Sequence, residues 1–469
     1  MQDSLFRQYD IRGIIDQEWS ISDAYAIGCA IAVYMQSQKS DLRTVALAMD
    51  GRIHSASIKE LLVQAFVDSG IDVIFIGLCP TPVLYFALHQ LPVDGGLMIT
   101  ASHNGPEYNG IKMCLGTAAI AGAQIQAIKE LVHSGARITA EHKGVYSEHF
   151  LIDAYVAYLV AQFAHLKGWH YALLIDCGNG ATGAVLPQLI RALQWPNASL
   201  LFDTIDGTYP NHEADPTVAE NMVLLQKEMG LRQVPLGIGF DGDGDRMAPL
   251  TQHGELVFGD KLLALFAQEI VQKNRSAAVV YDIKCSAILE RLIQSWGGSA
   301  HAAPSGHSNI KKMMAATGAV LAGELSCHFF FKDRYFGYDD GIYAMLRLCE
   351  ILSYKQQSLD ELLAIFPKIY NTPELRIACQ PAHMPLMVEA IKNHFTAYAG
   401  ATVSTIDGVR VVFPFGWGLI RASNTQPVIC LRFEAESEKE IQVIQDEFAK
   451  VLTPFGCFQR EPKHANGQL

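Results

Sequence analysis

Two segments of this chain carry side chains whose types and spacing allow chemistry. Ile99-Thr100-Ala101-Ser102-His103-Asn104-Gly105 sets a serine in a small, polar, turn-rich loop directly after an apolar run, which displays a hydroxyl to a ligand. Asp241-Gly242-Asp243-Gly244-Asp245-Arg246 sets three carboxylates at alternate positions. The glycines between them let the backbone take positive φ and approach an ion closely, so the carboxylates can turn toward one point. Such a donor set suits a hard divalent cation, Mg²⁺ where a phosphate completes the coordination. An EF-hand reading of the segment fails twice, because the sixth residue is Arg246 rather than glycine and the twelfth is Gln252 rather than glutamate. Nor does Ser102-His103 make a hydrolase: a chain neighbour is rarely placed to take the serine proton, and the Gly-x-Ser-x-Gly elbow is missing here. A phosphate carried on Ser102 beside a cation fits better, and the pair points to phosphoryl transfer.

Two further loops offer the substrate side. Gly323-Glu324-Leu325-Ser326-Cys327-His328 follows the apolar run Ala319-Val320-Leu321. Its carboxylate can take two hydrogen bonds from vicinal sugar hydroxyls. Arg421-Ala422-Ser423-Asn424-Thr425-Gln426-Pro427 joins a fixed cation to hydroxyls, an amide and turn N–H groups, the inventory of a phosphate pocket.

The elements that must position these loops are legible as apolar runs ending on aspartate. Val45–Met49 ends at Asp50-Gly51, Ala172–Ile175 at Asp176, Leu236–Phe240 at Asp241, and Ala278–Tyr281 at Asp282. Runs of this kind suit strands buried on both faces, and helical segments such as Ser57–Ser69 and Gly259–Lys273 lie between them. The alternation indicates α/β domains with ligands at the carboxyl ends of strands. Asp50 and Asp176 by themselves read as turn or cap residues. The last hundred residues differ. Ala401–Ile420 alternates apolar and polar residues around Asp407-Gly408, Val428–Phe433 reads as a strand, and Ser437–Leu452 as an amphipathic helix with Ser437 and Glu440 as a capping box. A smaller α+β domain is expected there, followed by a polar, mobile tail from Glu461.

With 469 residues the chain needs three or four domains. Half the residues are apolar and 18% charged, as in ordinary globular enzymes. Asp plus Glu outnumber Lys plus Arg by 48 to 36, for a net charge of −12, which argues against nucleic acid as a partner while leaving room for a local basic site. The ten cysteines form no CxxC pair and no zinc-like spacing with histidine, so reduced thiols are expected. The N-terminus lacks a signal-peptide pattern, and no apolar run approaches the ~20 residues of a membrane span. These features suggest a cytoplasmic protein, and nothing demands an oligomer.

The four loops, in this order, resemble the α-D-phosphohexomutase superfamily, and within it the bacterial phosphomannomutase/phosphoglucomutases. The resemblance covers essentially the whole chain and includes Tyr9-Asp10-Ile11-Arg12-Gly13, Gly178-Asn179-Gly180, Pro304-Ser305-Gly306-His307-Ser308 and Phe330-Phe331-Lys332-Asp333-Arg334. The sugar loop of that branch is usually Gly-Glu-Met-Ser-Gly-His; Leu325 and Cys327 depart from it. The resemblance implies four domains around a central cleft: three related α/β domains with mixed sheets, at 1–146, 147–248 and 249–364, and a C-terminal α+β domain of the TATA-box-binding-protein type at 365–469. It implies that Ser102 is phosphorylated and, with Asp241, Asp243 and Asp245, ligates Mg²⁺. Glu324 and Ser326 should bind the sugar 3- and 4-hydroxyls, and Arg421, Ser423, Asn424 and Thr425 the phosphate that is not reacting. Tyr9, Arg12, Lys112, Arg246, Lys284, His307 and His328 match positions that contact substrate or assist proton transfer, with Lys112, Arg12 and His103 the candidate bases. The implied substrates are small phosphosugars, with glucose 1,6-bisphosphate as intermediate and activator and no membrane partner. Phosphoglucosamine mutase, whose loop is typically Gly-Glu-Gln-Ser-Gly-His, is the first alternative, and Leu325 argues against it. A non-catalytic binding protein and a simple phosphatase are the others.

Overall fold

The computed structural model describes residues 1–422 and 428–456, so Ser423, Asn424, Thr425 and the tail from Glu461 lie outside the described residues. The chain divides into two units, Met1–Leu262 with Ser326–Leu362 and Leu263–Leu325 with Leu363–Leu469.

In the first unit the apolar runs become neighbouring strands. Thr44–Met49 pairs in parallel with Asp72–Leu78 on one side and Gly95–Ile99 on the other. Gly95–Ile99 is buried at every position, as its unbroken apolar composition requires. Tyr108–Leu115 and Ile11–Ile14 add antiparallel to its far side, and Tyr146–Glu148 adds parallel to Asp72–Leu78, giving a mixed sheet. The helix expected over Ser57–Ser69 runs Ser55–Asp68, and a second helix follows at Thr81–Gln90. Met49 stands opposite Ile99, so the turns after these parallel strands leave the sheet side by side. Asp50-Gly51-Arg52 therefore emerges next to the Ser102 loop.

A second sheet has Leu173–Asp176 between Ala198–Leu201 and Gly237–Phe240, all parallel, with Met247–Leu250 antiparallel at the end. Leu174, Met222, Leu225, Met229 and Leu250 form its core. Residues 241–246 are the connection between antiparallel partners, which bends the chain sharply enough to converge its side chains. Asp50 and Asp176 do act in turns: Asp50 Oδ1 accepts from the N–H of Arg52 at 3.0 Å, and Asp176 Oδ1 from that of Gly178 at 2.8 Å.

The returning segment of this unit carries the helix Gly341–Lys355, capped by Asp340, whose Oδ1 accepts from Tyr343 N at 2.8 Å. Its Oδ2 accepts from the hydroxyls of Tyr155 and Tyr335 at 2.7 and 2.8 Å. Burial pushes this carboxyl up from 3.8 to about 6, against the pull of those donors. A native acid that titrates above its unfolded counterpart stabilises the fold fully at low pH and loses that contribution as pH rises through 6, a change of about 3 kcal/mol. Asp340→Asn should therefore gain on the parent protein between pH 4 and pH 7. Melting curves across that range test this, and a difference independent of pH would remove Asp340 from the titration.

In the second unit Ala278–Asp282 pairs in parallel with Ser299–Ala303 and Leu321–Gly323. The C-terminal part is an antiparallel sheet in the order Tyr370–Asn371, Val428–Ala435, Gly416–Ala422, Val409–Phe413, Thr402–Ser404, with Leu375–Ala378 also on Val428–Ala435. Val409, Val411, Ile429, Leu431 and Phe433 pack against Met387, Ile391 and Phe395 of the helix His383–Thr396 and Ile444, Phe448 and Leu452 of Glu438–Leu452. The alternation expected over 401–420 is thus one buried sheet face, and Ser437 caps the last helix by accepting from Glu440 N. Arg410 donates to the carbonyls of Ile283 and Cys285, and Arg432 to that of Lys284, so this sheet fixes the backbone beneath Lys284.

Candidate active site

The first unit brings Ser102 onto the acidic loop. Its Oγ donates to Asp241 Oδ2 at 2.9 Å and lies 3.2 Å from His103 Nδ1. Ser102 is 2% exposed, so the hydroxyl expected on display is turned instead into the carboxylates. Its φ of 53° is left-handed, a costly conformation for a residue with a Cβ and one that recurs where function demands it. The approach is close. A Cβ on Gly242 would sit 2.5 Å from the Ser102 carbonyl, so only glycine fits there, while Gly244 supplies a φ of 74°.

Asp241, Asp243 and Asp245 are wholly or almost wholly buried, and one oxygen from each lies within 4.8 Å of the others. Lys112 Nζ donates to Asp243 Oδ2 and Asp245 Oδ2, each at 2.6 Å. Burial and the neighbouring carboxylates push the Asp241 carboxyl well above its ordinary range. Against burial, Lys112 holds Asp245 well below it. Lys112 and Arg246, whose Nε lies 3.9 Å from Asp241 Oδ2, set two positive charges against three carboxylates, and Asp243 Oδ1 is buried without a hydrogen-bond partner among the described residues. The residues present therefore fit a divalent cation: oxygen donors, excess negative charge and an unused lone pair.

Around this centre, Arg246 donates its backbone N–H to Asp241 Oδ1 at 3.1 Å and its Nε to His328 Nε2 at 3.2 Å. His328 Nε2 lies 3.2 Å from Asp245 Oδ1, and its Nδ1 3.2 Å from Ser326 Oγ. Arg12 reaches the serine loop through Asn104 Oδ1 at 2.8 Å and pairs with Asp10. Tyr9 is half-buried on the same segment. Among the three candidate bases, Lys112 is held as an ammonium because its two carboxylates outweigh burial, and arginine does not lose its proton in proteins. Desolvation and Arg246 push His103 well below its ordinary range, so its ring is neutral and has a lone pair to offer.

The second unit gathers the other expected residues. Glu324 Oε1 accepts from Gly306 N at 2.6 Å, next to His307 at the start of the helix His307–Thr317. Lys284 lies 3.7 Å from Asp282 and 3.6 Å from Glu374, which together outweigh burial and keep it charged. Arg421 Nε donates to Asp407 Oδ2 at 3.0 Å. Cys327, the departure in the sugar loop, is buried in the first unit at φ 65°, a left-handed position that glycine would hold without strain.

Sequence reasoning missed Arg52. Its guanidinium donates to Asp50 Oδ2 and to the carbonyls of Ser102, Asn104, Gly105 and Tyr108, at 2.6–3.1 Å. Its side chain is fully buried, so one residue ties down the whole serine loop. The signal was present in Asp50-Gly51-Arg52 after a buried strand, but only the strand order reveals the target.

Fold and site together define an α/β enzyme of phosphoryl transfer. The models of the phosphoglucomutase/phosphomannomutase family match nearly the whole length: α/β/α domain I at residues 3–138, domain II at 153–254, domain III at 258–370 and the C-terminal domain at 374–451. The chain is 41% identical over 452 residues to the phosphomannomutase/phosphoglucomutase of Pseudomonas putida, covering 96% of both chains. It is 40% identical over 452 residues to the phosphoglucomutase of Neisseria meningitidis serogroup A, with the same coverage. The crystal structure of a phosphoglucomutase/phosphomannomutase family protein from Burkholderia thailandensis superposes with a TM-score of 0.89 at 36% identity, covering 97% of this chain and 98% of that one. The chain belongs to the phosphoglucomutase/phosphomannomutase family, within the α-D-phosphohexomutases. It is a mutase that interconverts hexose phosphates, and the phosphoglucosamine alternative is not favoured. Among the described residues no helix is long and apolar enough to cross a membrane.

Proposed function

We propose that Ser102 is the phosphoryl carrier and that Asp241, Asp243 and Asp245, with the phosphorylated Ser102, hold Mg²⁺. The observation that carries this is the hydrogen bond from Ser102 Oγ to Asp241 Oδ2, which joins hydroxyl and acidic triplet in one buried site. The cation, when bound, neutralises phosphate charge and polarises the phosphorus. In the first transfer the bond from phosphorus to Ser102 Oγ breaks as the free hydroxyl of a hexose monophosphate bonds to phosphorus; that hydroxyl gives its proton to a base, and the departing Ser102 Oγ takes up a proton to become the serine hydroxyl. His103 is the candidate with a free lone pair, while Lys112 and Arg246 offset negative charge. The resulting 1,6-bisphosphate turns over and returns its other phosphoryl group to Ser102, so glucose 1,6-bisphosphate serves as intermediate and as activator. Glu324 and Ser326 bind the sugar 3- and 4-hydroxyls. Glucose and mannose differ at C2, so this binding accepts both. Arg421, with Ser423, Asn424 and Thr425, grips the idle phosphate, and Tyr9, Arg12, Lys284, His307 and His328 are further substrate-contacting residues. The protein works as a cytoplasmic monomer on small phosphosugars.

A coupled assay on mannose 1-phosphate and glucose 1-phosphate, with Mg²⁺ and a trace of glucose 1,6-bisphosphate, tests the reading. Comparable turnover of both is expected; turnover of glucosamine phosphate alone would overturn it. Arg421→Ala should raise KM by about 10-fold or more, the worth of a charge-assisted pair, with kcat changed far less. An unchanged KM would remove Arg421 from the phosphate site.

A further inference from the structure

Asp243 is gripped from one side only. Its Oδ2 accepts from Lys112 Nζ at 2.6 Å and from the hydroxyl of Thr81 at 2.5 Å, whereas the buried Oδ1 has no partner among the described residues. Thr81 also donates its backbone N–H to the Asp243 carbonyl at 2.8 Å. It is wholly buried, the first residue of the helix Thr81–Gln90, and 162 residues from its target in sequence. The terminal torsion of an aspartate is soft, so the carboxylate plane goes where its partners hold it. Lys112 is shared with Asp245 and moves on a flexible stem, so it cannot set that plane alone.

We propose that Thr81 is a positioning residue for the cation: its hydroxyl, with Lys112, occupies Asp243 Oδ2 and so turns Oδ1 toward the ion. This rests on the metal reading of the acidic triplet. Partners that orient a metal ligand from behind are typically worth 10- to 100-fold in metal affinity. The hydroxyl is the part that matters, since serine keeps it and valine keeps the shape without it.

Mn²⁺ binding to the full chain, followed by the EPR signal of the free ion, tests this with Thr81→Val, Thr81→Ala, Thr81→Ser and Asp243→Asn beside the parent protein. Thr81→Val should bind Mn²⁺ about 10-fold more weakly and Thr81→Ser within about 3-fold of the parent. Excess Mn²⁺ should restore the turnover of Thr81→Val while leaving its KM for sugar phosphate unmoved. Parent-like Mn²⁺ affinity in Thr81→Val, or equal weakening in Thr81→Ser, overturns the proposal. Thr81→Ala gives the same readout should the valine variant fail to fold. If Asp243→Asn binds Mn²⁺ like the parent, the metal reading itself falls. If Asp243→Asn loses binding while both hydroxyl-free variants keep it, only the role of Thr81 falls.

Discussion

Ser102→Ala should reduce turnover of hexose 1-phosphates by at least about four orders of magnitude, the scale on which loss of a covalent nucleophile is felt. Alanine removes the oxygen that carries the phosphoryl group and leaves the rest of the site in place. The left-handed φ of 53° is a backbone property that alanine can share, and the Arg52 contacts are to the loop's carbonyls rather than to the hydroxyl. The variant should therefore melt close to the parent and still bind Mn²⁺ through Asp241, Asp243 and Asp245. Parent-level turnover in Ser102→Ala would mean direct transfer from bisphosphate to sugar and would end the phosphoserine reading.

Arg52→Lys should lower kcat on the order of 10²-fold while leaving the KM for sugar phosphate close to that of the parent, although residue 52 sits beneath the serine loop rather than against the sugar. The guanidinium serves four carbonyls and Asp50 with five N–H groups; an ammonium has three. At least two buried acceptors then lose their donors, at about 1–3 kcal/mol each. The serine loop is free to relax from its left-handed turn, and a misplacement of about 1 Å at a reacting atom costs roughly 10²-fold in rate. Arg52→Ala should be worse, because it also strands the Asp50 carboxylate, whose burial already pushes it up. Lysine that supports parent-level kcat would show that charge alone, and not the fork of donors, holds the loop.

The parts of the site legible in the sequence were those in which a few adjacent residues contain the chemistry. Three carboxylates alternating with glycine, or a serine after a buried run, announce themselves within six or seven residues. The strands Thr44–Met49, Leu173–Asp176, Gly237–Phe240, Ala278–Asp282 and Val428–Ala435 and the helices Ser55–Asp68, Gly259–Lys273 and Glu438–Leu452 followed from local apolar patterns for the same reason, whereas many other elements, the helix Thr81–Gln90 among them, did not. Arg52 and Thr81 stayed hidden because each acts across the fold: Arg52 over 50 residues through the parallel adjacency of Thr44–Met49 and Gly95–Ile99, and Thr81 over 162 through contact between a helix start and the acidic loop of another sheet, neither of which a local pattern encodes. The strain at Ser102 was equally invisible, since nothing in Ala-Ser-His-Asn dictates a positive φ. Asp50 was rightly read as a turn residue, yet the turn's importance lies in where it delivers Arg52. The phosphate loop beyond Ala422 was legible only as composition, and Ser423, Asn424 and Thr425 are not among the described residues.

The acidic loop is held by backbone donors from distant stretches: Thr81 N reaches the Asp243 carbonyl, and Gly341 N reaches that of Gly244 at 3.1 Å. During synthesis these two clasps leave the ribosome about 260 residues apart, an interval of roughly 13–50 s at the usual rate of translation. The three aspartates emerge late in that interval, and for the roughly 5–19 s that separate Asp245 from Gly341 they exist as a nascent segment with one clasp missing. The ion-binding geometry thus waits on a residue nearly a hundred positions beyond the carboxylates themselves, and a transcript truncated between residues 246 and 341 would yield a polypeptide bearing every carboxylate but not the shape that makes them a site.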